Sequence, residues 1–466
     1  MQNTTVNLTE ILTNRIMSIR YDAVPADVCE IAKHCLLDWL GVGVAGRDEP
    51  AVSLLVAEAS DMGALGGKGG WIFDGKTARA DWGSLINGTA AHALDFDDVS
   101  MDFIGHPSVS VFAALLAWIY RGDNPCSGKD LISAFVAGVE AECIIGKLIT
   151  PSHYAKGFHA TGTLGTIAAA VACSKLGNFD KQQTLRAIDL AATQAAGLKC
   201  MFGTMAKPLH AGLAARNGLV AASLAQRGFT SCLDALENVE GFLAAESDAP
   251  KWDLLHEELS VWHTRSILFK YYPSCYFTHA AIRGLTELSR EVDVHLDEIR
   301  GVELRVPEAH MTVCNIQNPK TPLEMKFSVR ILAAMALSGL PVRSDTLTAA
   351  VAEKLSASDI YKNISIVPEP RRQNVFSTGI VIHKTDGSHI DKEVDVSVPN
   401  GVDALPDQWT SLLEKNRPLL QARFGDVDTD AIVRSIGRFD ELADVRVAMD
   451  VFARQRKAPS RLSAEA

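Results

Sequence analysis

No run or stripe of lysine and arginine occurs in this sequence: 45 Lys and Arg face 56 Asp and Glu, for a formal net charge of -11. A nucleic-acid partner lacks the positive footprint it needs, and any anionic ligand must be met by a local cluster of cations. No apolar run approaches bilayer length, which speaks against a membrane span; "LGTIAAAVACSKLG" is too short and reads as a core helix. The opening "MQNTTVNLTEILTNRI" has no basic, apolar and small-residue succession, so no secretory signal is read there. The nine cysteines contain no CxxC pair, which argues against a disulfide framework or a structural zinc and for a reduced, cytoplasmic chain. A Rossmann fingerprint, a Walker loop, a GxSxG elbow and an HExxH helix are all missing, and "GALGGKGG" reads as a connector.

What is present is a globular balance, 47% hydrophobic and 22% charged, in 466 residues, a length that predicts two domains. To about residue 268 the pattern is overwhelmingly helical, with stretches such as "SVFAALLAWIYRG" and "DLISAFVAGVEAECIIGKLI" that are apolar nearly all round, as in the centre of a bundle. After Phe269 the character changes. "GVELRVPEAHMTV" alternates Val302, Leu304 and Val306, and "STGIVIHKTDGSHIDKEVDVSV" reads as a hairpin around Asp386-Gly387, with helices in "EMKFSVRILAAMALSG" and "DTLTAAVAEKLS" between them. The expected fold is mainly α with an α+β second domain: a large helical domain over 1-268, a smaller α+β domain over 269-407, and helices over 408-466 that return to the first. "RKAPSRLSAEA" reads as a frayed end.

Four clusters carry candidate chemistry. In "HALDFDDVSMDFIGHPS" (92 to 108), Asp95, Asp97 and Asp98 end a helical pattern and His106 precedes the next helix, which Ser108 is placed to cap. A carboxylate beside an imidazole fixes its tautomer and raises its basicity; a metal site is the rival reading. "PSHYAKGFHATGTLG" joins His153, Tyr154, Lys156 and His159 to a helix start at Thr161 or Thr163, a position suited to an anion. "MFGTMAKPLHAGLAARNG" offers Lys207, His210 and Arg216, the last two six residues apart and so not on one helical face. "FKYYPSCYFTHAAI" supplies Lys270, Cys275, Tyr276 and His279 where the two regions meet, a favoured place for a ligand. Ionisable groups beside helix starts in apolar surroundings are costly unless they face one cleft, so proton-transfer chemistry at a common site is the reading.

In that order, "HALDFDD", "GHPS", "GFHATGTLG", "FGTMAKPLHAGLAARNG" and "KYYPSCYFTH" resemble the motifs of the MmgE/PrpD family, which includes 2-methylcitrate dehydratases, cis-aconitate decarboxylases and iminodisuccinate epimerase. The resemblance implies a homodimer without metal or organic cofactor, whose site lies between the domains and takes a di- or tricarboxylate. It places the polar site on Asp95, His106, His159, Lys207 and Lys270, and Tyr154 matches a tyrosine of the epimerase-like members. Val99 stands where the decarboxylases carry a hydroxyl residue, and Met311 near their tyrosine, which argues against decarboxylation of cis-aconitate. The implied function is a lyase of the 2-methylcitrate dehydratase kind. An epimerase of an amino- or imino-dicarboxylate is the alternative, ahead of a decarboxylase or a non-catalytic carboxylate-binding protein. His159, Asp95, His106, Tyr154 and Lys207 are the expected catalytic set. Lys270, His210, Arg216 and Tyr276 are the expected substrate-binding residues, and no metal ligand is assigned.

Overall fold

The computed structural model describes residues 7–291 and 296–453, so the expected frayed end lies outside the described residues. Its first part is built on ten helices: α1 (Leu8–Ser18), α2 (Ala26–Gly46), α3 (Pro50–Asp61), α4 (Ala80–Ala93), α5 (Pro107–Arg121), α6 (Gly128–Ile149), the short α7 (Ser152–Ala155), α8 (Ala160–Leu176), α9 (Lys181–Ala192) and α10 (Ala206–Gln226). α8 is the helix read from "LGTIAAAVACSKLG"; it is buried on every side from Ala160 to Ser174 and packs on α5, α6, α9 and α10. Such a helix has no solvent face, so Ala and Gly admit close neighbours all round it. Helical character is not continuous, however. Residues 62–79 form an irregular loop that buries Trp71 and Phe73, and 227–278 hold only short helical turns.

One close approach decides where the site lies. A Cβ on Gly88 of α4 would come within 2.9 Å of the Gly212 Cα on α10, and one on Gly212 within 2.3 Å of the Leu85 carbonyl oxygen. The two backbones therefore touch, and any larger side chain would part them. The contact brings the chain just beyond the C-terminus of α4, Asp95, beside the start of α10, Lys207.

The second core is a four-stranded mixed sheet in the order β2-β1-β3-β4, formed by β1 (Ile299–Pro307), β2 (Ile364–Glu369), β3 (Ser377–Lys384) and β4 (His389–Asp395). β1 pairs parallel with β2 and antiparallel with β3, Leu304 facing Ile366 on one side and Ile380 on the other. Val302, Leu304 and Val306 are buried as their alternation implied, and Gly387 takes φ 89° in the β3-β4 turn. The helices His279–Glu291 and Val329–Leu337 pack on this sheet and on each other. β2 was not expected from the sequence. The final long helix, Leu405–Gly437, lies on α2 and is broken at Gly425 (φ 75°). Its Leu412, Leu420, Ile432 and Ile436 join the core of the first part, apart from the sheet's own core. The fold is thus mainly helical with a smaller α+β unit. Among the described residues no helix is long and apolar enough to cross a membrane, and all nine cysteines are free.

Candidate active site

A cavity of about 460 Å³, its open mouth included, lies where the two cores meet. The turn after α4 meets the N-terminal ends of α5, α8 and α10 there, through His106, His159 and Lys207, so three positive helix ends converge on one place. Asp95, His106, Tyr154, His159, Lys207, Lys270 and Tyr276 line it, together with an apolar wall that includes Val99, Phe202, Phe277, Val313, Phe327 and Phe376. Lys270 is carried there by a two-way backbone bridge, Val99 N-H to the Leu268 carbonyl and Leu268 N-H to that of Val99, both 2.8 Å.

Asp95 is the hub. Its backbone is left-handed (φ 51°), a conformation Asp tolerates better than most residues. Its Oδ1 accepts from Lys270 Nζ at 2.5 Å and lies 2.8 Å from Lys207 Nζ, while Lys270 also donates to its carbonyl at 3.0 Å. Burial alone would raise this carboxyl, but Lys207 and Lys270 hold it well below the usual carboxylate range. Asp95 Oδ2 is buried without a partner. With two buried ammonium groups to one buried carboxylate, the cluster is left one positive charge in excess.

The imidazoles sit behind and beside it. His92 Nδ1 donates to Asp97 Oδ2 at 2.8 Å, and His106 Nδ1 lies 3.2 Å from the same oxygen without the alignment of a hydrogen bond, while its Nε2 is 3.7 Å from Asp95 Oδ1. Burial pushes His106 down to about 3 against the pull of Asp97, and it drives His159 well below the ordinary imidazole value with help from Lys207. His159 is the residue just before α8 and contacts His210 through Nδ1, 3.0 Å from His210 Nδ1. A neutral imidazole at the edge of a cation-rich cavity is equipped to accept a proton.

Other expectations are redistributed. Tyr154 is half-buried with Lys199 Nζ 3.6 Å from its ring centre, and burial raises its phenol. Tyr276 presents only its ring, because its hydroxyl donates to the Val396 carbonyl at 2.9 Å. His210 backs His159 rather than lining the cavity, and Arg216 is exposed on α10 and has no place in it, as its six-residue offset turns it to another face. His153 is tied to Glu246 at 2.8 Å and Lys156 to Asp248 at 2.9 Å, so neither serves the cavity. Ser108 does not cap α5; it lies inside that helix and donates through its N-H (3.2 Å) and hydroxyl to Asp98, which burial pushes up to about 7.

Lys326 escaped the sequence reading. It is fully buried beside the cluster, donates to the Ala93 carbonyl at the end of α4 at 3.2 Å, and is pushed down to about 8 by burial. A lone Lys between Met325 and Phe327 was the available signal. His92, Asp95, Asp97 and His106 also bring ligand atoms within 4.8 Å of one another, as a metal site would require. They fit a divalent ion poorly, since Lys207 and Lys270 already occupy Asp95 Oδ1 and would repel it.

The fold and site together define a two-core protein with a buried acid/base cavity of net positive charge. Models of the MmgE/PrpD N-terminal domain and the MmgE/PrpD C-terminal domain match residues 10–255 and 272–437, and the chain belongs to the MmgE/PrpD family. Similar proteins include the cis-aconitate decarboxylase of Aspergillus terreus strain NIH 2624, 26% identical over 94% of each chain. Those of Mus musculus (24%, over 80% of this chain and 78% of the relative) and Homo sapiens (26%, over 72% and 71%) bear the same name.

Proposed function

We propose that this protein is a cofactor-independent lyase that removes a proton next to a carboxylate of a di- or tricarboxylic acid, with elimination of water from a 2-methylcitrate-like acid as the leading reading. The observation that carries it is the pairing of Lys207 and Lys270 on one Asp95 oxygen, with His159 and His106 on the same cavity. An ammonium has three donors, and Asp95 leaves at least one free on each lysine for a substrate carboxylate. The apolar lining of Phe277, Phe327 and Phe376 suits an alkyl substituent, for which an amino- or imino-dicarboxylate has no use. That contrast favours a lyase over an epimerase.

In the proposed step His159 takes the C-H proton, and the charge that builds on the carboxylate is met by the two lysines. The C-O bond then breaks and the double bond forms. A bound polyanion favours protonation of imidazoles that burial, aided by the lysines, keeps neutral. His106, with Asp97 at 3.2 Å and Asp95 at 3.7 Å, recharges before His159, whose Nδ1 partner is another imidazole. The leaving hydroxyl takes its proton from His106 and departs as water, with Tyr154 positioning it. A second reading, decarboxylation of a cis-aconitate-like acid, is favoured by the names of the relatives above, although Val99 on the cavity wall offers no hydroxyl there. The test is incubation with each acid in turn, following the unsaturated product by ultraviolet absorbance and CO2 by trapping. Unsaturation without CO2 supports the leading reading, and CO2 release replaces it with the second. We also propose a homodimer, which sedimentation equilibrium tests.

A further inference from the structure

We infer that His210 is a positioning residue: it holds His159 in the tautomer whose Nε2 is bare toward the cavity and conducts the abstracted proton outward. The inference rests on His159 as the base of the proposed reaction. It starts from an unusual contact, Nδ1 to Nδ1 at 3.0 Å between two imidazoles. One proton, and only one, must lie between the two nitrogens for them to approach so closely. If His159 holds that proton, its Nε2 carries a lone pair and is a base; if His210 holds it, His159 Nε2 is an N-H and cannot accept.

The surroundings choose the first arrangement. Lys207, Lys270 and His106 line the cavity with His159, whereas His210 does not line it. A cation on that side favours a lone pair pointing at it over an N-H. His210 is half-buried and outside the cavity, so its Nε2-H is the end of the pair closest to solvent. Burial keeps His210 neutral at neutral pH, with a pKa of about 4, so one of its two ring nitrogens is free to accept. Gly197, with φ 148°, packs behind both rings: its carbonyl accepts from the His159 N-H at 3.0 Å, and a Cβ built there would lie 3.4 Å from His159 Cβ and from His210 Cγ and Nδ1.

The proton balance closes. The substrate C-H proton goes to His159 Nε2, the Nδ1 proton of His159 passes to His210 Nδ1, and the Nε2 proton of His210 leaves to water; once product has left, the pair is reset as a solvent proton enters at His210 Nε2, the Nδ1 proton returns to His159, and the Nε2 proton of His159 leaves to water in the emptied cavity. No group other than solvent is needed to accept it.

Two measurements test this. In the wild-type protein at neutral pH, without substrate, 15N NMR of ring-labelled histidine should give His159 a protonated Nδ1 and an unprotonated Nε2. The reverse tautomer would overturn the inference whatever the substrate proves to be. With whichever acid the wild-type enzyme turns over, His210→Ala should lower kcat about 10- to 100-fold, the range of a partner that orients a functional histidine, with KM within about twofold. Added imidazole should restore part of the loss. His210→Asn, which keeps an acceptor near Nδ1 but cannot relay, should fall between wild type and His210→Ala. Unchanged kcat in His210→Ala, or a loss that neither imidazole nor Asn relieves, would overturn it. Failure of every acid with the wild-type protein would instead strike the proposed reaction and leave the NMR result standing.

Discussion

The single stretch 92 to 108 supplies carboxylates to two buried histidine clusters that use them in opposite ways. Asp102 accepts from His263 Nδ1 at 2.8 Å and from the Ser266 hydroxyl at 2.7 Å, while Glu140 accepts from the His263 and Thr264 N-H groups and the Thr264 hydroxyl. Against the effect of burial, Asp102 and Glu140 raise His263 above the ordinary imidazole value. A few residues away, burial pushes His106 down to about 3, and Asp95 Oδ2, His92 Nε2 and His106 Nδ1 are buried without hydrogen-bond partners. Residue types are the same, and satisfaction of partners is what differs. A closed network fixes the fold, whereas buried groups left short of partners beside a cavity are held ready for a ligand.

The comparison can be broken at either cluster. His159→Gln should have the largest effect, a loss of roughly 100- to 10,000-fold in kcat with unchanged circular dichroism, since it removes the base and leaves the packing. Lys270→Met should come next, because it halves the compensation of a buried carboxylate; a cost of about 3–5 kcal/mol in denaturant unfolding is expected, along with weaker binding of carboxylates. His263→Gln should leave turnover intact and cost about 1–3 kcal/mol, with a sign in pH that sharpens the contrast. A folded-state pKa raised above the unfolded value of about 6.5 stabilises fully below that pH and is lost as pH rises through the raised value. The Tm deficit of His263→Gln should therefore be larger at mildly acidic than at alkaline pH. The smallest effect should be at Lys326: its charge is lost as pH rises through about 8, so KM for a polyanion should climb a few-fold there, and Lys326→Met should abolish that inflection.

The same physical distinction explains what the sequence disclosed. Period and turn chemistry are local, so the β3-β4 hairpin at Asp386-Gly387, the alternation of β1 and the all-round apolar α8 were legible. β2 was not, because Ile364–Glu369 is short, half-exposed and contains Pro368, and its parallel partner β1 lies far earlier in the chain. The family resemblance pointed to Asp95, His106, Tyr154, His159, Lys207 and Lys270, all of which line one cavity, whereas the charge argument alone also gathered His153, Lys156 and Arg216, which do not. Which face each side chain takes was not legible: Arg216 turned out to solvent, the Tyr276 hydroxyl to a backbone carbonyl, and Ser108 to Asp98 instead of a helix end. Lys326 was hidden in a stretch read as one helix, whereas it lies in the turn between the helices Pro322–Met325 and Val329–Leu337.

The central claim is that the open cluster removes a proton beside a carboxylate and then expels a leaving group. NMR of the purified protein in D2O with citrate-like, aconitate-like and aspartate-derived acids, without added metal or cofactor, tests it most directly. The account predicts loss of water from a citrate-like acid, abolished by His159→Gln and retained by His263→Gln. Deuterium entering next to a carboxylate with no loss of water or CO2 would contradict it and make the protein an epimerase.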